Sequence, residues 1–149
     1  MDSHENCVFC ALYGGTIEAS TVFRNEHVMA AMTIRPSHVG HVLLFPKAHV
    51  EDFALLDQKR LGYLFHVAAR LKLAICEAIP CEGFQVLINQ GEATHQKRDC
   101  RHLHVHLIPC SLEAPGDVEG RRAEAPRGEL DEAARRIAQR LNVDADAEK

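Results

Sequence analysis

The most constraining stretch of the chain is RHLHVHLIP, residues 101–109, in which His102, His104 and His106 alternate with Leu103, Val105 and Leu107. Successive side chains of an extended segment point to opposite faces. This period of two therefore writes a strand with imidazoles on one face, about 6.6 Å apart, and aliphatic groups on the other. The apolar face needs a sheet and a core to cover it. The other face needs partners, because half-buried imidazoles must be hydrogen-bonded and clustered positive charge costs stability below their pKa. On spacing alone three readings stay open: a histidine-rich polar strand face, a metal site built from all three imidazoles, or nucleophilic catalysis at phosphorus in which one imidazole attacks and its neighbours hold phosphate oxygens.

The rest of the chain supplies the sheet. Between 21 and 47, TVFRNEHVMAAMTIRPSHVGHVLLFPK, short β-prone runs are broken by turn formers at 24–26 and 36–40, which predicts a hairpin followed by a third, central strand. Residues 57–78 change period: Leu61, Leu64, Phe65, Ala68, Leu71 and Ile75 follow helical spacing, with Asp57 placed to cap the first turn. FQVLINQ (84–90) returns to strand character, 91–100 is polar and loop-like, and the histidine strand follows. The stretch 112–128 reads as a loop or arm, Leu130, Ala133, Ala134, Ile137 and Leu141 mark a last amphipathic helix, and the tail DADAEK is expected to fray. The predicted fold is α+β: a mainly antiparallel sheet of about five strands, one long helix and a C-terminal helix. A chain of 149 residues, 46% of them hydrophobic, can close one ordinary core. It is expected to form a single domain over 1–149, with its core at 5–110 and residues 111–149 as loop or arm plus helix.

Composition narrows the partners. Apolar runs such as VLLF at 42–45 fall far short of the ~20 residues a spanning helix needs, so no membrane span is expected. The opening MDSHENC lacks the basic region and apolar stretch of a secretory signal, which predicts a cytoplasmic protein whose six cysteines are not a disulfide framework. A net charge of −4, from 21 acidic and 17 basic residues, disfavours a long nucleic acid but not a local phosphate site. No Walker-type or dinucleotide-binding glycine motif is present. CVFC, Cys7 to Cys10, has no second pair downstream. It reads either as two reduced thiols in a short N-terminal turn or as half of a metal site; a redox pair would be expected beside a βαβ unit, which this pattern lacks.

HLHVHLIP resembles the signature of the histidine triad (HIT) family of nucleotide hydrolases and transferases. CVFC, the segment VFRNEHVMAAMTIRPSHVGHVLLFPKAHV, the 57–78 helix and FQVLINQGEA also resemble the family in order and spacing, over roughly residues 5–110. The resemblance implies an antiparallel sheet with two helices, paired as a homodimer through the long helix and an edge strand. It implies His104 as nucleophile on the α-phosphorus of a small nucleotide, forming a nucleotidyl-imidazole that water hydrolyses to a nucleoside monophosphate. A backbone carbonyl of the same strand would hold the nucleophile's other ring nitrogen, and His106 would donate to the phosphate oxygens. It further implies a closed, structural zinc site on Cys7, Cys10, His49 of PKAH and His102, which removes His102 from acid-base work. The nucleoside would lie against Phe9, Leu12, Ile34 and Leu43, with Asn89 and Gln96 carried over near the phosphate.

Two departures stand out. Thr33 occupies the position before the TIRP isoleucine where the family usually has an acidic residue for the ribose hydroxyls; a hydroxyl is the weaker acceptor. The loop QGEATHQKRDCR carries two extra residues, with His95 where glycine is usual and Lys97 where a hydroxyl is expected; Lys97, Arg98 and Arg101 read as solvated surface rather than a phosphate clamp. The expected activity is hydrolysis or nucleotidyl transfer on a phosphoramidate, an adenylylated amine or a dinucleoside polyphosphate. The competing expectation is a non-catalytic zinc- and nucleotide-binding regulatory module.

Overall fold

The computed structural model describes residues 6–94, 101–116 and 123–144. The chain runs through α1 (Val8–Gly14), β1 (Thr21–Arg24), β2 (Val28–Met32), β3 (Val42–Pro46), a 3-10 turn (Phe53–Leu55), α2 (Gln58–Ala78), β4 (Gly83–Leu87), β5 (Val105–Cys110) and α3 (Arg127–Ala138). The strands form one sheet in the order β1-β2-β3-β5-β4, antiparallel at every pairing. The hairpin and the central third strand fall where the turn formers place them, and the α+β architecture is the one expected.

Both faces of the sheet are covered, which explains why every residue of β2 is buried. Val28, Ala30 and Met32 point into one cluster with Val42, Leu44, Val105 and Leu107, packed under α2 and α3. Met29 and Ala31 point the other way, toward Phe45, Cys7 and Phe9 of the α1 side. Since His106 alternates with Val105 and Leu107 and pairs with Leu43, the histidine face is the face that α1 covers.

The long helix begins at its predicted cap: the Asp57 carboxylate accepts from the Arg60 backbone N–H at 2.8 Å, a contact worth about 1 kcal/mol. Its buried stripe is Leu64, Val67, Ala68, Leu71, Ala74, Ile75 and Ala78. Phe65, expected on that stripe, is 40% exposed, because the stripe centres on the 64, 68, 71, 75 row and leaves it one position off. α3 buries Leu130, Ala134 and Ile137 into the same cluster.

Three local expectations are corrected. CVFC is not a short turn but the N-cap and first turn of α1, with the Cys7 sulfur accepting from the Cys10 N–H. β4 stops at Leu87 rather than running to Gln90. The ladder of β5 starts at Val105, so His102 and His104 lie on extended chain ahead of it. The reason is that β3 ends at Pro46, whose carbonyl is taken by the His102 imidazole at 2.8 Å, while Leu103 N–H donates instead to Val50 O at 2.7 Å.

Candidate functional site

Helical geometry puts Cys7 and Cys10, three residues apart, on one side of the first turn of α1. That turn sits over His49, just beyond β3, and over His102. The Pro46 carbonyl can only accept, so the proton of His102 is on Nε2 and the lone pair of Nδ1 faces the cysteines. Nδ1 of His102 lies 3.4 Å from Cys7 Sγ, 3.6 Å from Cys10 Sγ and 3.3 Å from His49 Nδ1; Cys10 Sγ lies 3.4 Å from His49 Nδ1. A tetrahedral zinc with Zn–S near 2.3 Å and Zn–N near 2.1 Å has ligand-to-ligand edges of about 3.4 to 3.8 Å. The four donor atoms, all within 4.8 Å of one another, therefore fit that ion, and Cys7 and His102 are buried at 2% and 0% exposure. Among the described residues this is the one group of its kind, and it takes a single triad histidine. One metal on all three imidazoles, one of the readings open from spacing, does not match this geometry.

The other two imidazoles are set by different partners. His104 Nδ1 donates to the His102 carbonyl at 2.8 Å, which leaves the lone pair on Nε2. Its ring is stacked on Phe9, with centroids 4.5 Å apart and planes 24° from parallel, and stands 5.1 Å from the His106 ring. His106 Nδ1 is 2.9 Å from His41 Nε2. Ser37 N–H, which can only donate, points at His41 Nδ1 at 3.2 Å. His41 must then carry its proton on Nε2 and give it to His106 Nδ1, and His106 carries its own on Nε2. Burial, with His106 beside it, holds the His41 imidazole down at about 3. Burial and then His104 hold His106 at about 4. Both are neutral near pH 7, so the chain of donors keeps one direction.

His41 escaped the sequence reading. It precedes β3 by one residue, on the parity of Leu43, and Leu43 pairs with His106. A histidine at the matching parity of a neighbouring strand was the available signal, but its use needs the strand order. His38 extends the system outward: its Nε2 donates to the carbonyls of Ala114 and Pro115 at 3.0 and 3.2 Å.

Of the expected nucleoside contacts, Phe9, Leu12 and Leu43 share one apolar cluster. Phe9 is buried against His104, and Leu43, half-buried, lies beside His106. Leu12 lines an open groove of about 460 Å³ with Tyr13, Thr21, Arg24 and Met29, none of them a histidine. Ile34 is 44% exposed beyond β2, and Thr33 Oγ1 accepts from Arg35 N–H at 3.3 Å. Asn89 is half-buried past the end of β4. Gln96, with His95, Lys97 and Arg98, lies outside the described residues; Arg101 pairs with Glu92 at 2.9 Å on the surface.

Residues 15–111 match the HIT domain family. The protein named hit from Bacillus subtilis is 33% identical over 109 residues, covering 73% of this chain and 74% of its own length. The adenosine 5'-monophosphoramidase of Candida albicans is 33% identical over 129 residues, covering 84% of each chain. Among solved structures, the zinc-bound histidine triad family protein of Mycobacterium smegmatis superposes with a TM-score of 0.77 at 27% identity, covering 98% of this chain and 99% of that one. On the extent of these matches, and with the triad strand and its sheet in place, the chain belongs to the HIT domain family.

Proposed function

We propose that the protein is a nucleotide hydrolase that cleaves at the α-phosphate of a small nucleotide, with a nucleoside 5'-phosphoramidate as the substrate class, releasing a nucleoside monophosphate. The observation that carries this reading is the opposed pair of tautomers: His104 presents a lone pair at Nε2 while neighbouring His106 presents an N–H at its own Nε2. A nucleophile beside a donor is what displacement at phosphorus requires. His104 Nε2 attacks the α-phosphorus, the bond to the departing amine breaks, and the amine leaves with a proton taken from solvent. His106 donates to the non-bridging oxygens as their charge grows. Water then attacks the same phosphorus and gives up a proton to solvent, the bond to His104 breaks, and the imidazole returns to its starting tautomer. Membership of the family and the Candida albicans relative's activity support the substrate class.

In this reading Cys7, Cys10, His49 and His102 hold zinc. The metal would fasten α1, and with it Phe9, to the chain entering β5; it supplies structure rather than chemistry, since four protein donors close its coordination. Pairing as a homodimer through α2 and β4 is part of the same proposal: β4 is an edge strand, its Val86 is 53% exposed, and Leu73 of α2 is 50% exposed.

The test is intact mass measurement, without acid, after brief incubation with adenosine and guanosine phosphoramidates. A nucleotidyl adduct is expected on His104. His104→Asn, folded by circular dichroism, should form none and lose at least about 10³-fold in kcat/KM. Turnover retained in that variant overturns the assignment.

A further inference from the structure

Two other cysteines meet far from the zinc ligands in sequence. Cys76 lies in the last turn of α2 and Cys81 in the turn leading to β4, separated by Glu77, Ala78, Ile79 and Pro80. The helix stops between them: Ile79 N–H still donates to Ile75 O at 2.8 Å, but Ile79 itself is extended, with φ −123° and ψ 117°, and Pro80 cannot continue a helix. That reversal brings Cys81 Sγ back to 3.2 Å from Cys76 Sγ, within hydrogen-bond distance. Both side chains are half-buried in the single chain.

We propose that Cys76 and Cys81 form a redox dithiol, oxidised by a hydroperoxide to an intramolecular disulfide that staples the end of α2 to the start of β4. Three observations favour a disulfide over the other fates of a thiol pair. The sulfurs are already closer than van der Waals contact, so bonding needs an approach of about 1 Å from 3.2 Å. The third cysteine of the region, Cys110, is buried at 7% exposure and directs its sulfur to the Ile108 carbonyl. These thiols do not make up a set of three donors within 4.8 Å, as the zinc ligands do, so the arrangement does not offer a metal a closed cage.

The order of events follows from protonation. Burial, and then the sulfur contact with Cys81, push the Cys76 thiol up to about 11, so Cys76 keeps its proton for the resolving step, and in this proposal Cys81 makes the attack on peroxide. The Cys81 thiolate sulfur takes one peroxide oxygen, the O–O bond breaks, and the departing hydroxide or alkoxide is protonated. Cys81 is then a sulfenic acid. Cys76 sulfur attacks the Cys81 sulfur, the S–O bond breaks, and the oxygen leaves as water with the Cys76 proton. Two thiols and one hydroperoxide give one disulfide, one water and one further water or alcohol; the sulfurs lose the two electrons that the peroxide gains.

Glu77 sits between the two cysteines and makes the product readable. The reduced full-length protein, loaded with zinc, is treated with a few equivalents of hydrogen peroxide, alkylated, and cut with a Glu-specific protease without reductant. The fragment ending at Glu77 and the one beginning at Ala78 should stay joined, lighter by two hydrogens than the sum of their thiol forms, and separate on adding dithiothreitol. Cys76→Ser and Cys81→Ser should each abolish the linkage, and Cys76→Ser should trap a dimedone-reactive sulfenic acid on Cys81. Cys110→Ser should leave the linkage intact. Alkylation of both cysteines after peroxide, or linkage of Cys81 to Cys110 instead, overturns the proposal.

Discussion

The buried His41 makes a prediction that separates its titration from everything else that acid does to this protein. Its imidazole is 3% exposed, accepts from Ser37 N–H and donates to His106, with His38 and His104 as the other ionisable neighbours. Its folded-state value is held at about 3, against 6.5 for an unperturbed imidazole. Above 6.5 the side chain is neutral whether the chain is folded or not. As pH falls below 6.5 only the unfolded chain takes the proton, so stability is lost on acidification until the folded value is reached. At about pH 5.5 the unfolded chain is roughly ten-elevenths protonated at this site, a loss of about 1.4 kcal/mol relative to about pH 7.5. Any folded value below about 4.5 gives the same figure, so the magnitude does not hang on the depth of the shift.

The perturbation is His41→Gln, which keeps an N–H near Nε2 for His106 and removes the titration. Losing the Ser37 contact costs stability at every pH and cancels from the comparison. Urea midpoints of both proteins at the two pH values give the result: the wild type should lose about 1.4 kcal/mol more than the variant. Acid release of any metal held by the proposed tetrad and protonation of His106 occur in both and cancel as well. Parallel losses in the two proteins would refute the directed donor chain, because they would mean that His41 takes up its proton in the folded state.

Cys7→Ser removes a buried donor and should cut bound zinc from about one per chain to a minor fraction by metal analysis, with a lower melting temperature. Unchanged metal content would remove the proposed tetrad. Gly40 has φ +90°, and an added Cβ would lie 3.0 Å from Ile79 Cγ1 and from Pro109 Cγ. Gly40→Ala should therefore cost about 2 kcal/mol by chemical denaturation, from left-handed strain plus the clash. Val86→Arg on the β4 edge should shift sedimentation from dimer to monomer while leaving the isolated chain folded, and a monomeric wild type would dispose of the homodimer.

Periodic elements were readable because burial on one face is enough to specify them. The hairpin, the central strand and the capped long helix all follow from apolar spacing with a turn former at each end, and tertiary contacts only confirm what local chemistry demands. What failed lies at element ends and at faces decided by neighbours. Phe65 fits a helical stripe as well as Val67 does, and only the placement of the sheet settles which is buried. β5 begins late because a carbonyl of β3 is spent on an imidazole, a contact between residues 56 positions apart. The Cys76 and Cys81 pair depends on the reversal at Ile79 and Pro80, which no periodicity encodes.

The same limit explains the triad. His102, His104 and His106 are equivalent in the sequence, one residue type at one spacing, yet each offers something different: a lone pair on Nδ1, a lone pair on Nε2 and a proton on Nε2. His102 gives its Nε2 proton to Pro46 and faces the cysteines with Nδ1; His104 gives its Nδ1 proton to His102 and keeps a lone pair on Nε2; His106 accepts at Nδ1 from His41 and keeps a proton on Nε2. Alternation decides only that the three share a face. The division of labour is made by what meets the second nitrogen: two backbone carbonyls and one buried imidazole, two of the three from outside the motif. A single exchange of partner would turn a lone pair into an N–H, or move it to the other ring nitrogen, with no change in the triad itself. For this reason the residues most informative about the chemistry of HLHVHLIP are Pro46, Ser37 and His41, which lie outside it.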